Sequence, residues 1–462
     1  MPRVVLVTSN GWGLGHLSRE LAIALAIGDR ADVTMFTFSR GFPLAASFGL
    51  RGEFCMDHTS SWIPAGRWDR YVERRFGIFL SEVDPDVVLF DGVAPYLGVI
   101  NALRRHPSIS AGWLRRGMWL NGPNDAQLAK AEAFDFVVEP GDIAAEADEG
   151  PTAALDSIRV PPVSLLEVVP TLGRDEAAAA LGLDPEKPAL LFALGSGQPG
   201  DAVAAREAAL RRALRHVHWQ VGVVTSPLTG VRNDEVSETA GIQVEGIYPL
   251  MRYLSAFDAA VSAAGYNSVH ELIPARVPTL FVPKTASRTD NQVARASFLA
   301  DHGLALMARD DQVEEVETQV ESLLGHANVE LTANLEEIRE DGLMGGAVEV
   351  ARIVTSSPPT GVRETGVDDW RQPGIKGFLK RVIPPTGVEY LQQVLRKSPP
   401  RHPGNTVTLH SMDGLTHLLV SEDPADVVRS QCQPVEHMLA EASPSYHQAR
   451  RNLINEFYDL VG

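Results

Sequence analysis

Cysteine is nearly missing from this chain. Cys55 and Cys432 are the only two in 462 residues and lie far apart, which excludes a disulfide framework and matches no metal or redox spacing. Such usage points to a reducing compartment. Long apolar runs are also missing: nothing approaches the roughly 18 apolar residues of a membrane span. The opening MPRVVLVTSNG reads as a first strand and not a signal peptide, because no long apolar region follows it. A cytosolic protein is therefore expected. Positive charge is in deficit, with 41 Lys and Arg against 59 Asp and Glu and a formal net charge of -18. That balance excludes nucleic acid, whose backbone needs clustered Lys and Arg. A small anion stays open, since it needs only local positive potential and amides. No Asp-x-Asp follows a strand in the second half and no His/Cys cluster is present, so neither a metal nor a cofactor is expected.

What is present is ordinary globular material, 44% hydrophobic and 22% charged, in a chain too long for one compact core. Val4–Thr8 is apolar without alternation, as a buried parallel strand requires. It runs into the loop SNGWGLGHLSRE and an Ala/Leu-rich helix, one βα unit. Strands follow at Asp32–Phe38, at Val87–Phe90 ending in Asp91, near Ile109–Trp113 and at 134–140, with helices to about Leu50 and over Pro95–Arg105. Asp57–Arg75 shows no clean periodicity and reads as loops. VPPVSLLEVVPTLGR, residues 160–174, has three prolines and no helical period and reads as an interdomain linker. A second β/α series follows: ALLFALGSG, a helix over Asp201–Val217, WQVGVV, IQVEG, AAVSAAG, TLFVP and ALMAR, closed by helices at about 311–325 and ending near Val354. The predicted class is α/β, with domains at 1–160 and 161–354 and an extension at 355–462 that opens with a Pro/Gly-rich linker.

The chain is organised around Val261–Gln292, a strand end, a glycine turn at Gly265, a helix carrying Glu271, a second strand, and a polar loop closing on Arg288, Asp290, Asn291 and Gln292. A glycine between strand and helix lets backbone N–H groups face an anion. A carboxylate a few residues into that helix accepts bonds from two neighbouring hydroxyls, as on a ribose. Phosphate at the turn and sugar at the acid make a nucleotide site. The plainer reading is a βαβ crossover whose glycine is only a turn.

These residues carry a resemblance. The GYNS run with its following glutamate resembles the donor half of GT-B glycosyltransferases of the family 28 type, the group that includes the N-acetylglucosaminyltransferase of lipid II synthesis. The GLGH loop followed by Ser18 and Arg19 is similar to the first loop of the same set, and to that of related nucleotide-sugar hydrolases. The resemblance implies a GT-B fold, two Rossmann-like β/α/β domains facing across a crevice, here with a C-terminal α+β extension. It implies that Gly265, Tyr266, Asn267 and Ser268 surround the donor phosphates, with Gly195, Ser196 and Gly197 approaching them and Gly13 and Gly15 in the first loop. Ile247 would lie near the base, Glu271 would take the ribose, and Asp290, Asn291 and Gln292 would face the sugar. Arg288 would help meet the leaving-group charge. Trp12, Trp62, Arg67 and Trp68 are weaker acceptor candidates, for which surface structure is the alternative.

Sugar transfer to a hydroxyl needs a base for the acceptor proton, and a histidine suits that task. His16 is the candidate and Asp91 its partner, fixing the tautomer and stabilising the imidazolium. The alternatives are a structural histidine and a helix-capping or turn aspartate. Arg19, one turn into the first helix, has two readings, a pairing with an acid in its own domain and, by default, a surface ion pair. The expected activity is an inverting, metal-independent transfer from a nucleotide-diphosphate sugar, UDP-linked by resemblance, to a hydroxyl acceptor that is lipid-linked, polysaccharide-linked or a small metabolite. A nucleotide-sugar hydrolase using the same GLGH loop and a non-catalytic nucleotide-sugar binding module are the other readings. Residues 371–401 are basic and interleaved with apolar residues. They admit a contact with anionic lipid at the inner face of a membrane, or a plain packed extension.

Overall fold

The computed structural model describes residues 1–9, 13–58, 65–122, 124–194, 203–225, 227–228, 241–244, 246–339 and 341–356, with 445–446, 448–449 and 452 near the C-terminus. Trp12, Trp62, Gly195, Ser196, Gly197 and the basic stretch 371–401 lie outside the described residues.

Among the described residues, thirteen strands form two parallel sheets. The first contains β1 (Arg3–Thr8), β2 (Asp32–Thr37), β3 (Arg51–Phe54), β4 (Val87–Asp91), β5 (Ser110–Leu114), β6 (Phe136–Pro140) and β7 (Ile158–Val160), in the order β3-β2-β1-β4-β5-β6-β7. The second contains β8 (Ala189–Ala193), β9 (Gln220–Val224), β10 (Ile242–Val244), β11 (Ala259–Ser262), β12 (Thr279–Phe281) and β13 (Leu306–Met307), in the order β10-β9-β8-β11-β12-β13. Each sheet runs outward in both directions from its first strand, the doubly wound arrangement. The strand order reverses between β1 and β4 in one sheet and between β8 and β11 in the other. At such a reversal the crossover helices leave to opposite faces, and a crevice opens beyond the strands' carboxyl ends. Thr8 stands beside Asp91 at that end of the first sheet, and Ala193 beside Ser262 in the second. The glycine loops after β1 and β11 therefore both start at a reversal.

The sheets share one continuous apolar cluster. Val4, Leu6 and Leu89 of the first sheet and Leu191, Ala260 and Phe281 of the second both contribute, linked through helix Gly15–Ile27 and helix Gly346–Thr355. This last helix packs back onto the first half. Its entry is tight: Gly346 N–H donates to Pro162 O at 3.1 Å, and a Cβ there would meet Pro161 O at 2.1 Å, so only glycine fits. The outer face of the first sheet is aromatic, with Phe36, Phe76, Phe79, Phe90 and Trp113 buried together. Tyr446 packs into this cluster and its hydroxyl donates to Glu53. Among the described residues no helix is long and apolar enough to cross a membrane.

The structure corrects the reading of 57–75 as loops. Ala65–Val83 is a 19-residue helix, and Trp68, Tyr71, Val72, Phe76, Phe79 and Leu80 line its buried side at helical spacing. Arginines and acids between them hide that stripe. Two short edge strands, β3 and β7, and helix His326–Glu336 are further additions.

Candidate active site

The site starts from the loop after β1. Helix Gly15–Ile27 begins there, which brings His16 and Arg19, three residues apart, onto one face beside the end of β4. His16 Nδ1 lies 2.8 Å from Asp91 Oδ1. Arg19 donates to the same carboxylate twice, from Nε to Oδ2 at 3.0 Å and from Nη2 to Oδ1 at 2.8 Å. Arg19 thus pairs with an acid of its own domain and is not the surface ion pair of the default reading: it and Asp91 are 2% and 1% exposed. Burial opposes ionisation of Asp91, but Arg19 and His16 outweigh it and hold the carboxyl below its ordinary range. Burial lowers the His16 imidazole, Asp91 works against that, and Arg19 and Arg116 add to it. The net result is a histidine below its usual 6.5. Arg19 Nη2, which can only donate, also lies 2.7 Å from Nδ1, so two groups compete there; where the ionised carboxylate holds the ring proton at Nδ1, Nε2 is left as an acceptor.

The other half meets this group directly. Asn267, in the helix after the Gly265 turn, accepts from Arg19 Nη1 at 3.2 Å and donates from Nδ2 to Gly15 O at 3.3 Å. Ser18 and Tyr248 are joined at 3.0 Å. The residues read separately in the two loops thus form one place.

Several expected donor contacts are used otherwise. Tyr266 is engaged within the protein. Its ring is buried, and its hydroxyl donates to Gly141 O and accepts from Val163 N–H, both at 3.0 Å, which ties the two halves together. Burial pushes that hydroxyl well above its normal range. Asn291 caps its helix by accepting from Ala294 N–H at 3.1 Å. Asp290 is held by Arg295 at 3.0 Å and faces Arg116 at 3.6 Å. Burial opposes its ionisation, yet the two arginines draw it down to about 2. Gln292 Oε1 accepts from Lys284 N–H at 3.1 Å. Arg288 is exposed, and its carbonyl accepts from Asn124 Nδ2 at 3.2 Å. Trp68 is a core residue and not an acceptor contact: it is 2% exposed and its indole N–H donates to Met56 O at 2.8 Å. Arg67, one residue earlier on the same helix, is exposed. Gly13 is exposed, while Gly15, Ile247, Gly265 and Ser268 are partly buried around the two loops.

Glu271 is different. It is partly buried, no hydrogen bond to a described residue engages its carboxyl, and burial alone raises it to about 8. A carboxyl without partners in a drying environment suits a polar ligand.

Sequence reading missed three members of this place. Arg116 and Arg295 reach the crevice from β5 and from helix Gln292–Asp301, and Arg295 also pairs with Asp142 at 2.8 Å. Glu20 is fully buried next to the Arg19–Asp91 pair, neither of its oxygens has a partner among the described residues, and burial followed by Asp91 pushes it well above its ordinary range. Glu20 follows His16 by one helical turn, the only signal available beforehand. The halves are also stitched by backbone: Leu120 N–H donates to Thr289 O at 2.7 Å and Asn291 N–H to Met118 O at 2.8 Å, around an antiparallel bridge of Trp119 with Asp290.

Comparison with known proteins adds a family signal. Residues 202–342 match the model of the glycosyltransferase family 28 C-terminal domain. A stretch of 133 residues is 33% identical to the UDP-N-acetylglucosamine--N-acetylmuramyl-(pentapeptide) pyrophosphoryl-undecaprenol N-acetylglucosamine transferase of Sulfurovum sp. (strain NBC37-1), covering 28% of this chain and 37% of that protein. The chain thus spans little more than a third of that relative's length. Among solved structures, MurG of Acinetobacter baumannii aligns with a TM-score of 0.51 at 18% identity over 77% of this chain and 100% of its own. MnaA of S. aureus, solved with UDP, aligns with a TM-score of 0.56 at 10% identity over 78% of this chain and 100% of its own. With two doubly wound sheets facing a common crevice, the chain has the GT-B fold.

Proposed function

We propose that this chain is an inverting, metal-independent glycosyltransferase that moves a sugar from a nucleoside-diphosphate donor, UDP-linked, to a hydroxyl acceptor, with His16 as base. The observation that carries this reading is the His16–Asp91 pair at the reversal of the first sheet, in contact through Arg19 with the helix after Gly265 in the second. The family 28 match over 202–342 and the UDP-bound neighbour support a nucleotide in the second half.

The step balances simply. His16 Nε2 takes the acceptor's hydroxyl proton as that oxygen attacks the anomeric carbon from the face opposite the leaving group. The bond from that carbon to the phosphate oxygen breaks, and its electron pair leaves with the diphosphate. Asp91 stabilises the imidazolium through Nδ1–H, so the base need not be strong in the resting state. Glu271 is assigned to the ribose hydroxyls. In this reading residues 1–160 serve the acceptor, 161–354 the donor, and 355–462 form an added unit. The Sulfurovum relative's name describes an acceptor on a lipid pyrophosphate, and we infer a lipid- or polysaccharide-linked hydroxyl here.

The test is calorimetric titration of UDP, TDP, GDP, CDP and ADP with EDTA present, followed by turnover of the matching sugar donor. Binding of UDP without metal is expected. Binding of none of the five would overturn the reading.

A further inference from the structure

Three arginines meet in the crevice, and two of them are spent. Arg19 gives its donors to Asp91 and Asn267. Arg295 donates from Nε to Asp142 at 2.9 Å, from Nη1 to Ala264 O at 2.9 Å and from Nη2 to Asp290 at 3.0 Å. Arg116 donates to no described residue. Its nearest carboxylate is Asp290 at 3.6 Å, beyond hydrogen-bond reach and already held by Arg295. The Arg116 side chain is only 15% exposed, and its guanidinium carbon lies 5.7 Å from the Tyr266 ring centroid.

This is a costly arrangement for the protein by itself. A guanidinium has five N–H donors and stays charged at any working pH. Here it is largely withdrawn from water and faces two like charges, and burial, then Arg19 and Arg295, work against its proton while Asp290 only partly compensates. Its neighbour Arg115 shows the alternative: buried, it pairs with Glu139 at 2.8 Å. Arg116 is placed so that an anion entering the crevice completes it, and a guanidinium fork matches two phosphate oxygens. Its position fits one source. On one side stand His16, whose proton affinity its charge lowers, and Asp91; on the other stands Tyr266 at the head of the second half's helix. The bond that breaks must lie between the base's half and the nucleotide's half.

Resting on the glycosyltransferase reading above, we propose that Arg116 is a catalytic residue that binds oxygens of the donor's β-phosphate and neutralises the charge released there. The anomeric carbon–oxygen bond breaks, the electron pair moves onto the phosphate oxygen, and Arg116 keeps its proton throughout. It takes the role that resemblance had given to the exposed Arg288.

The experiment compares wild type, Arg116→Gln and Arg116→Lys by calorimetry, using the nucleoside diphosphate that wild type binds and its monophosphate, with thermal unfolding as a fold control. Arg116→Gln is expected to lose diphosphate affinity on the order of 10- to 100-fold, the worth of a charged hydrogen bond, with monophosphate affinity unchanged. Arg116→Lys is expected to recover part of that loss, since it keeps the charge without the fork. Unchanged diphosphate affinity, or an equal loss for both nucleotides, would overturn the assignment. If Arg116→Gln fails to fold, Arg116→Lys decides, its selective loss of diphosphate supporting the assignment and wild-type affinity for both ligands overturning it. Failure of wild type to bind any nucleoside diphosphate shows separately, before any variant is compared, and removes both readings.

Discussion

Arg19 holds Asp91 by two near-parallel bonds, Nε to Oδ2 at 3.0 Å and Nη2 to Oδ1 at 2.8 Å, with both side chains out of water. That fork keeps Asp91 ionised at the bottom of the crevice, and His16 draws on the same Oδ1. The orientation of the candidate base thus depends on an arginine buried behind it. Arg19→Met leaves buried Asp91 with His16 as its remaining partner and without its arginine, which costs about 3–5 kcal/mol by the general behaviour of broken buried pairs. Urea unfolding measures it, and wild-type stability in the variant would show that Asp91 gains another partner or a proton.

His16→Ala removes the acceptor for the transferred proton. Turnover is expected to fall about 10²- to 10⁴-fold, the usual contribution of a positioned base, while nucleotide affinity stays as in wild type. Loss of nucleotide binding instead of turnover would mean that His16 holds substrate and that the base lies elsewhere.

The pH profile follows from the directions of the shifts. A base works when neutral, and His16 sits below 6.5 because burial, Arg19 and Arg116 outweigh Asp91. Activity therefore rises through an apparent pKa below 6.5 and stays high above it. Asp91→Asn removes the charge that favours the imidazolium and moves the limb lower still. Arg116→Gln removes an opposing cation and moves it higher. Imidazole titration by NMR checks the same signs without needing the acceptor.

Glu271 predicts a stability effect in the ligand-free protein. Its carboxyl ionises at an ordinary 4.5 when unfolded and at about 8 when folded. Between those values the folded state keeps a proton that the unfolded state has lost, so the contribution to stability is full below 4.5 and disappears as pH rises through about 8. Glu271→Gln abolishes this dependence. Its melting temperature should exceed that of wild type at about pH 9 and approach it in mild acid. Equal melting temperatures across the range would mean that Glu271 is solvated.

Tyr266→Phe tests the reassignment of that residue. Loss of its bonds to Gly141 O and Val163 N–H leaves buried backbone groups unpaired, at about 1–3 kcal/mol. Nucleotide affinity should be retained. A selective loss of diphosphate binding at unchanged stability would return Tyr266 to the phosphate site.

Much of this architecture was legible in the residues because its determinants are local. Short unbroken apolar runs such as VVLVT and ALLFA, followed by glycine loops, read as strands buried on both faces, and glycine loops between them and helices mark βα units. His16, Asp91 and Gly265 stood out because each follows or ends such a strand. Helix Ala65–Val83 was obscured because its apolar stripe is interrupted by arginines and acids, one of which, Arg75, is buried and paired with Glu53 of β3. Edge strands β3 and β7, of four and three residues, are too short to carry a period.

The sequence by itself determined the α/β class, the two series of strands and the residue types available at their carboxyl ends. Only the tertiary structure decided what those side chains do, because charge and burial are set by contacts between segments far apart in the chain. Arg19 and Arg288 are both arginines near glycine loops, yet one is locked on Asp91 and the other faces solvent. Tyr266 and Asn267 are adjacent, yet one seals the halves and the other reaches Arg19. Arg115 and Arg116 differ by one position at the end of β5, which gives one a buried glutamate and leaves the other's charge turned to the crevice.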